Sequence, residues 1–295
     1  AGATVAATKF HASFGTSQAV RLAERNLALI QLMVGDGVEA IGVLTYGRQP
    51  ARPANEAEIG QAIWALGYVV RHAPSPTCDS AIETFDALVS RHELESLVGT
   101  CCAALGAANY LARFPGASGA RRYLVRQVER ITSQLPGDRW LEAWPGPEWG
   151  LPVQALTVAA RVLKETAIAA RGREMVANLL DASAQGSRFV RRGDNPDEEE
   201  LPATATSFIE ALGAVFYLER DRALLPPIRA AADWFIGGNT RGEPLYDFNS
   251  GGCHDALTAV GRNQNQGAGA TLSCLMALLT LHKLAGADQH ATEPA

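Results

Sequence analysis

Carboxylates, amides and aromatic rings gather near the C-terminal end of the sequence. Asp247 and Asp255 lie in a glycine-rich stretch with His254, Asn263, Asn265 and Gln266, and Tyr246 and Phe248 flank the first of the two acids. Carboxylates accept hydrogen bonds, side-chain amides donate and accept, and aromatic faces stack on C–H groups. That combination suits a sugar, which offers hydroxyls around its rim and C–H faces above and below. Glu210 stands alone in the apolar run Phe208-Ile209-Glu210-Ala211-Leu212. A carboxylate seldom stays buried among apolar neighbours without a partner, so Glu210 is read as facing a cavity. Glycoside hydrolysis needs two carboxyl groups, one as acid and one as base or nucleophile. The expected catalytic set is Glu210 with Asp247 or Asp255.

A second concentration reads Asp-Arg-Trp-Leu-Glu-Ala-Trp-Pro-Gly-Pro-Glu-Trp-Gly from Asp138 to Gly150. Three of the chain's five tryptophans fall here, which suggests an aromatic rim with carboxylates at the mouth of a cleft. The expected substrate-binding residues are therefore Trp140, Glu142, Glu148, Trp149, Tyr246, His254, Asn263, Asn265 and Gln266. Plainer readings compete. Asp and Asn form turns and cap helices, loop tryptophans plug cores, and Glu210 fits a solvent-facing helix edge. The histidines lack metal-ligand spacing, and no nucleophile elbow, phosphate loop or dinucleotide fingerprint is present. No metal and no cofactor are expected.

The elements that must hold these groups are helices. Apolar residues recur at helical spacing over Ser17–Val34, Glu56–His72, Cys78–Arg91, Leu94–Ala112, Gly116–Gln134, Pro152–Ala170, Arg173–Ala184, Ala203–Leu218, Leu224–Ile236 and Ala268–Leu284. Gly and Pro punctuate the gaps. Leu94–Ala112 is rich in Gly, Ala and Cys, which lets a neighbouring helix come close. Val38–Tyr46 reads as an extended loop or short strand, and Gly186–Glu200 as a polar loop. Helices that turn back every twenty residues or so have the rhythm of stacked hairpins. The expected class is all-α, an (α/α) toroid of ten to twelve helices in antiparallel hairpins, with an open solenoid as the alternative. One domain over residues 1–295 is expected, with loosely ordered ends at 1–14 and 287–295.

The 295 residues carry a net charge of −5 and no long basic run, which argues against a nucleic-acid partner. The five cysteines show no paired spacing, which implies a reducing, cytoplasmic setting. The first residues lack the pattern of a secretory signal. Thr271, Ser273 and Thr280 interrupt the longest apolar run, so no membrane span is expected.

Particular motifs carry a resemblance. Trp234-Phe235, Asn239, Pro244-Leu245-Tyr246-Asp247, Gly251-Gly252-Cys253, Asp255, Asn263 and Asn265-Gln266-Gly267-Ala268 resemble a bacterial α/α-toroid module of the six-hairpin glycosidase type, found alone or fused to glycosyltransferases. The likeness extends in the same order to Ile63-Trp64-Ala65-Leu66-Gly67, Trp140-Leu141-Glu142, Leu151-Pro152 and Ile209-Glu210-Ala211. It implies a toroid fold and a carbohydrate ligand. The chain departs from the family pattern at polar positions. Ala57 and Gln61 replace an acidic residue and an arginine. The runs Gly146–Gly150 and Ala205–Phe208, and the pair Gly269-Ala270, replace other polar residues. Such losses imply altered specificity or lost activity.

The function expected is carbohydrate processing, first as a glycoside hydrolase and second as a lyase. The alternative is a non-catalytic module that binds a glycan or a protein. A helical scaffold without a small ligand comes third. A protein partner or a homo-oligomer is left open.

Overall fold

The computed structural model describes residues 1–35, 40–185, 188–189 and 199–290. Among these residues the chain forms twelve α-helices and three short antiparallel strand pairs. Most of Gly186–Glu200, the start of the expected strand at Val38 and the last five residues lie outside the described residues. The chain divides into two compact units, Ala1–Pro136 with Val158–Glu165, and Gly137–Thr157 with Thr166–Ala295. Each is described by itself.

The first unit contains α1 (Gly2–Phe14), α2 (Ser17–Val34), the strands β1 (Ile41–Leu44) and β2 (Pro50–Pro53), α3 (Glu56–His72), α4 (Ser75–Arg91), α5 (Leu97–Arg113) and α6 (Ser118–Gln134). Residues 2–14, expected as a loose end, form a helix whose Thr4–Thr8 segment is buried. Its Ala/Thr-rich sequence has too weak a periodicity to reveal this. The close approach expected of the small-residue helix is present between α3 and α5. A Cβ placed on Gly60 would overlap backbone atoms of Gly99, and one on Gly67 would overlap Gly106. Asn55 and Glu58 form a reciprocal capping box at the start of α3. Glu56 Oε2 accepts from the amides of Glu95 and Ser96, both at 2.6 Å, which ties that start to the start of α5. Glu56 and Glu58 are thus structural groups.

The second unit contains the single turn α7 (Trp140–Ala143), most of α8 (Leu151–Leu163), α9 (Thr166–Ser183), the strands β3 (Ala184–Gln185) and β4 (Arg188–Phe189), α10 (Pro202–Glu219), α11 (Leu225–Asp233), the strands β5 (Leu257–Thr258) and β6 (Gly261–Arg262), and α12 (Ala268–His290). The break between α8 and α9 falls at Lys164, not at residues 171–172 as the pattern suggested. Lys164 takes φ 61°, and the Glu165 amide reaches back to the carbonyl of Ala160 at 3.2 Å. This is a helix stop with lysine in the left-handed position that glycine usually fills, so no Gly or Pro marks it.

Helix α10 is buried continuously from Thr204 to Gly213. It lies against α12, where Thr206 Oγ1 donates to the Ser273 carbonyl at 2.8 Å. Further along the pair, a Cβ on Gly213 would meet Thr280 Cγ2 at 3.3 Å. Helix α12 runs past the expected Leu284 to His290, so it is longer than its interrupted apolar run indicated. By length and composition alone, Ala268–Ala287 is the one described stretch long and apolar enough to cross a membrane.

Candidate functional site

Two loops and two helices of the second unit meet in a continuous series of contacts. The loop before α8 ends at Gly150, whose amide donates to Ser207 Oγ at 3.2 Å. A Cβ on Gly150 would overlap the Ser207 carbonyl and come within 2.9 Å of Ala211 Cβ. Ser207, Glu210 and Ala211 are spaced i, i+3 and i+4, so they share one face of α10. The loop that carries Glu148 and Trp149 is therefore pressed against the helix face that carries Glu210. From α10 the series passes through Thr206 and Ser273 to α12. It continues from Thr271 Oγ1, which accepts the Cys253 amide at 3.2 Å, to the loop of residues 244–256.

Glu210 is buried, with 8% of its surface exposed. Glu148 is half-buried, and burial holds its carboxyl pKa above the ordinary value. Its side chain folds back over Gly146, where an added Cβ would lie 2.9 Å from Glu148 Oε2 and 3.7 Å from Trp144 Nε1. Glycine at 146 thus leaves room for the carboxyl and the Trp144 indole on the same side of the loop. Trp140 is fully buried, and the indole N–H groups of Trp140 and Trp144 have no hydrogen-bond acceptor among the described residues. Glu142 is placed elsewhere. It forms an exposed ion pair with Arg139 at 2.8 Å, with the glutamate side chain 65% accessible.

The loop around Asp247 is held by that residue's own carboxylate. Asp247 Oδ1 accepts from the Asn249 amide at 2.9 Å, while Oδ2 accepts from Ser250 Oγ at 2.8 Å and Gln266 Nε2 at 2.9 Å. The Gln266 amide, followed by the two loop donors, holds the Asp247 pKa well below the usual carboxylate range. Ser250 Oγ also lies 2.8 Å from Gln266 Oε1, which closes the network. Asp255 Oδ1 accepts from the Gly267 amide at 2.6 Å, just ahead of α12, and the Asp255 amide donates to the Asn265 carbonyl at 3.0 Å. Asn263 Oδ1 accepts the Asn265 amide at 2.8 Å in a local turn. His254 is buried and its amide donates to the Leu245 carbonyl, but its Nδ1 has no partner among the described residues. Tyr246 packs edge-on against Phe248, with ring centroids 5.0 Å apart.

One supporting residue escaped the sequence reading. Glu200 accepts from Trp234 Nε1 at 2.6 Å and from Thr240 Oγ1 at 3.0 Å, and its backbone pairs with Leu257. It fastens both ends of the Trp234–Leu257 segment, and nothing in the acidic run Asp197–Glu200 distinguishes it in advance. Among the described residues no group of three or more His, Cys, Asp and Glu is gathered where it could hold a metal. In the first unit a cavity of about 170 Å³ is lined by Ile30, Val34, Ile59, Gln61 and Leu88, with Glu58 at its edge. Arg52 engages both Glu58 oxygens, so this cavity offers little chemistry.

No family model and no curated protein sequence matches the chain. Solved structures do match in fold. The cellobiose 2-epimerase of Spirochaeta thermophila superposes with a TM-score of 0.72 at 13% identity, over 98% of this chain and 85% of its own. A D-mannose isomerase gives 0.72 at 10% identity, over 95% and 86%. The GH76 α-mannanase of Bacteroides thetaiotaomicron gives 0.68 at 10% identity, over 97% and 85%. The chain shares the α/α-toroid fold of these structures, at low sequence identity.

Proposed function

We propose that the protein is a carbohydrate-processing enzyme of the glycoside hydrolase type, with Glu148 and Glu210 as its carboxyl pair. The observation that carries this is the seating of Gly150 on Ser207 and Ala211, which sets the Glu148 loop on the Glu210 face of α10. Burial keeps Glu148 protonated to a higher pH than an exposed glutamate, as a general acid requires. Glu210 is the partner that activates water or attacks the sugar directly. Asp247 and Asp255 are already engaged by loop and helix amides, so their part is to shape the sugar-binding loop. The neighbours in fold act on sugars by their names, which supports the carbohydrate class.

The test is a screen of purified protein against gluco- and manno-oligosaccharides, with reducing ends and anomeric signals followed by NMR. Turnover that falls about 100-fold or more in both Glu210→Gln and Glu148→Gln is expected. Turnover that survives both substitutions rules the pair out.

A second reading is proton transfer next to the carbonyl of a reducing sugar, as in an epimerase or isomerase. The names of two neighbours in fold, a cellobiose 2-epimerase and a D-mannose isomerase, favour it, with His254 as the candidate imidazole. The same NMR screen shows it as a new epimer without chain cleavage, and loss of that product in His254→Gln would assign the base.

A further inference from the structure

The turn that follows Tyr246 exposes a large aromatic ring although its backbone is fixed. Phe248 is 71% exposed. The segment that bears it is held at Asp247 by three donors, at Gly252 by Ser250 Oγ at 3.1 Å, and at Asp247 N by the Gly252 carbonyl at 2.9 Å. Gly251 takes φ +74°, a turn conformation that glycine adopts without strain. Tyr246 packs edge-on against the ring, with the two planes at 89°, and leaves the Phe248 ring open to solvent.

The surroundings indicate what the ring meets. The Asn249 and Asn265 side chains are exposed, and their amides make no hydrogen bond within the described residues; only their backbone groups are engaged. Gln266 bonds across to Asp247 and Ser250, so neighbouring Asn265 lies at the edge of the same loop. The nearest charge, on Asp247, is satisfied internally and offers no strong site to a cation. An exposed apolar face on a loop that also exposes two uncommitted side-chain amides, with the carboxylate of the turn already engaged, suits a neutral polyhydroxylated ligand. The rings of a neutral oligosaccharide have that character, C–H faces between hydroxyl rims.

We infer that residues 246–250 form an outer subsite for a neutral oligosaccharide chain, with Phe248 as the stacking platform and the Asn249 and Asn265 amides as hydroxyl partners. The proposal rests on the carbohydrate reading above and narrows it to substrates longer than one or two sugars.

Calorimetry with cello- and manno-oligosaccharides of two to six units tests it on the whole chain. Affinity is expected to rise with chain length in the native protein. In Phe248→Ala the affinity for the longest oligosaccharide should fall about 5- to 10-fold and the length dependence should flatten. Asn249→Ala with Asn265→Ala should produce a smaller change in the same direction. Because Phe248 is exposed, an unaltered thermal melt should accompany the loss. Binding that does not depend on length, or that Phe248→Ala leaves unchanged, overturns the subsite while the carbohydrate reading stands. Absence of binding to every sugar overturns both.

Discussion

Gly150 rests directly on the backbone of Ser207, with its amide on the Ser207 hydroxyl at 3.2 Å and no room for a β-carbon between them. This contact turns two segments that are remote in sequence into one candidate site. Everything proposed for Glu148 depends on it, because the glutamate hangs from the loop that Gly150 anchors.

Gly150→Ala should therefore be costly. The obstacle is backbone, which cannot swing aside as a side chain does, and overpacking of this kind typically costs about 1–3 kcal/mol, with more where nothing yields. A loss of about 3 kcal/mol in urea unfolding is expected, together with loss of any sugar turnover. Gly119→Ala is the control, because a Cβ there meets nothing within 4 Å and alanine is a good helix former in the first turn of α6. If both substitutions behave alike, the loop is not seated as described.

Glu148 makes a prediction about pH. Burial raises its pKa in the folded protein above the unfolded value, so the fold binds the proton more tightly than the unfolded chain does. The stability it contributes is full below the ordinary glutamate value and is lost as pH rises through the folded value. Glu148→Gln removes the titration. The variant should match the native protein at pH 4 and melt at a higher temperature at pH 7–8, while turnover falls about 100- to 10,000-fold. A melting difference that is the same at both pH values would show that burial does not act on the charge.

Asp247 runs the other way. Its folded pKa is depressed, so its contribution is present above the ordinary value of 3.8 and is lost only as pH falls through the lower folded value. Asp247→Asn should loosen the turn at neutral pH. Faster proteolytic cleavage within residues 247–252 and a sugar KM raised about 10-fold are expected, with kcat changed less than about 2-fold, as befits a residue that shapes binding. A kcat that collapses with KM unchanged would restore Asp247 to the chemistry.

The sequence conveyed the helical rhythm well, because an amphipathic helix writes its buried face at regular spacing. The small residues of Leu94–Ala112, Gly99 and Gly106 among them, were also legible as a surface of close approach, whereas their partners Gly60 and Gly67 were not. What did not show was anything fixed by contact between distant segments. Lys164 in a left-handed helix stop breaks no compositional rule, and the Ala/Thr-rich α1 has no clear apolar stripe. Asp247 drew attention as a catalytic acid, but Asp-Phe-Asn-Ser-Gly-Gly is also a turn sequence, and the three donors that decide between the two come partly from Gln266. Glu148 was visible as a carboxylate near tryptophans; its raised pKa follows from burial, which only packing defines.

The Glu200–Trp234 pair gives the last prediction. Trp234 is a fully buried anchor, 1% exposed, and Glu200 accepts from its indole N–H at 2.6 Å. Removing that acceptor leaves a desolvated indole N–H, which costs about 1–3 kcal/mol. Glu200→Ala should destabilise by that amount and also release Thr240, which donates to the other oxygen at 3.0 Å. Glu200→Gln retains a carbonyl oxygen for the indole and should lose less than half as much. Urea unfolding followed by tryptophan fluorescence measures both. Equal losses in the two variants would mean that the indole hydrogen bond is not what the Glu200 side chain contributes, and that its carboxylate charge is; the backbone pairing with Leu257 is the same in both.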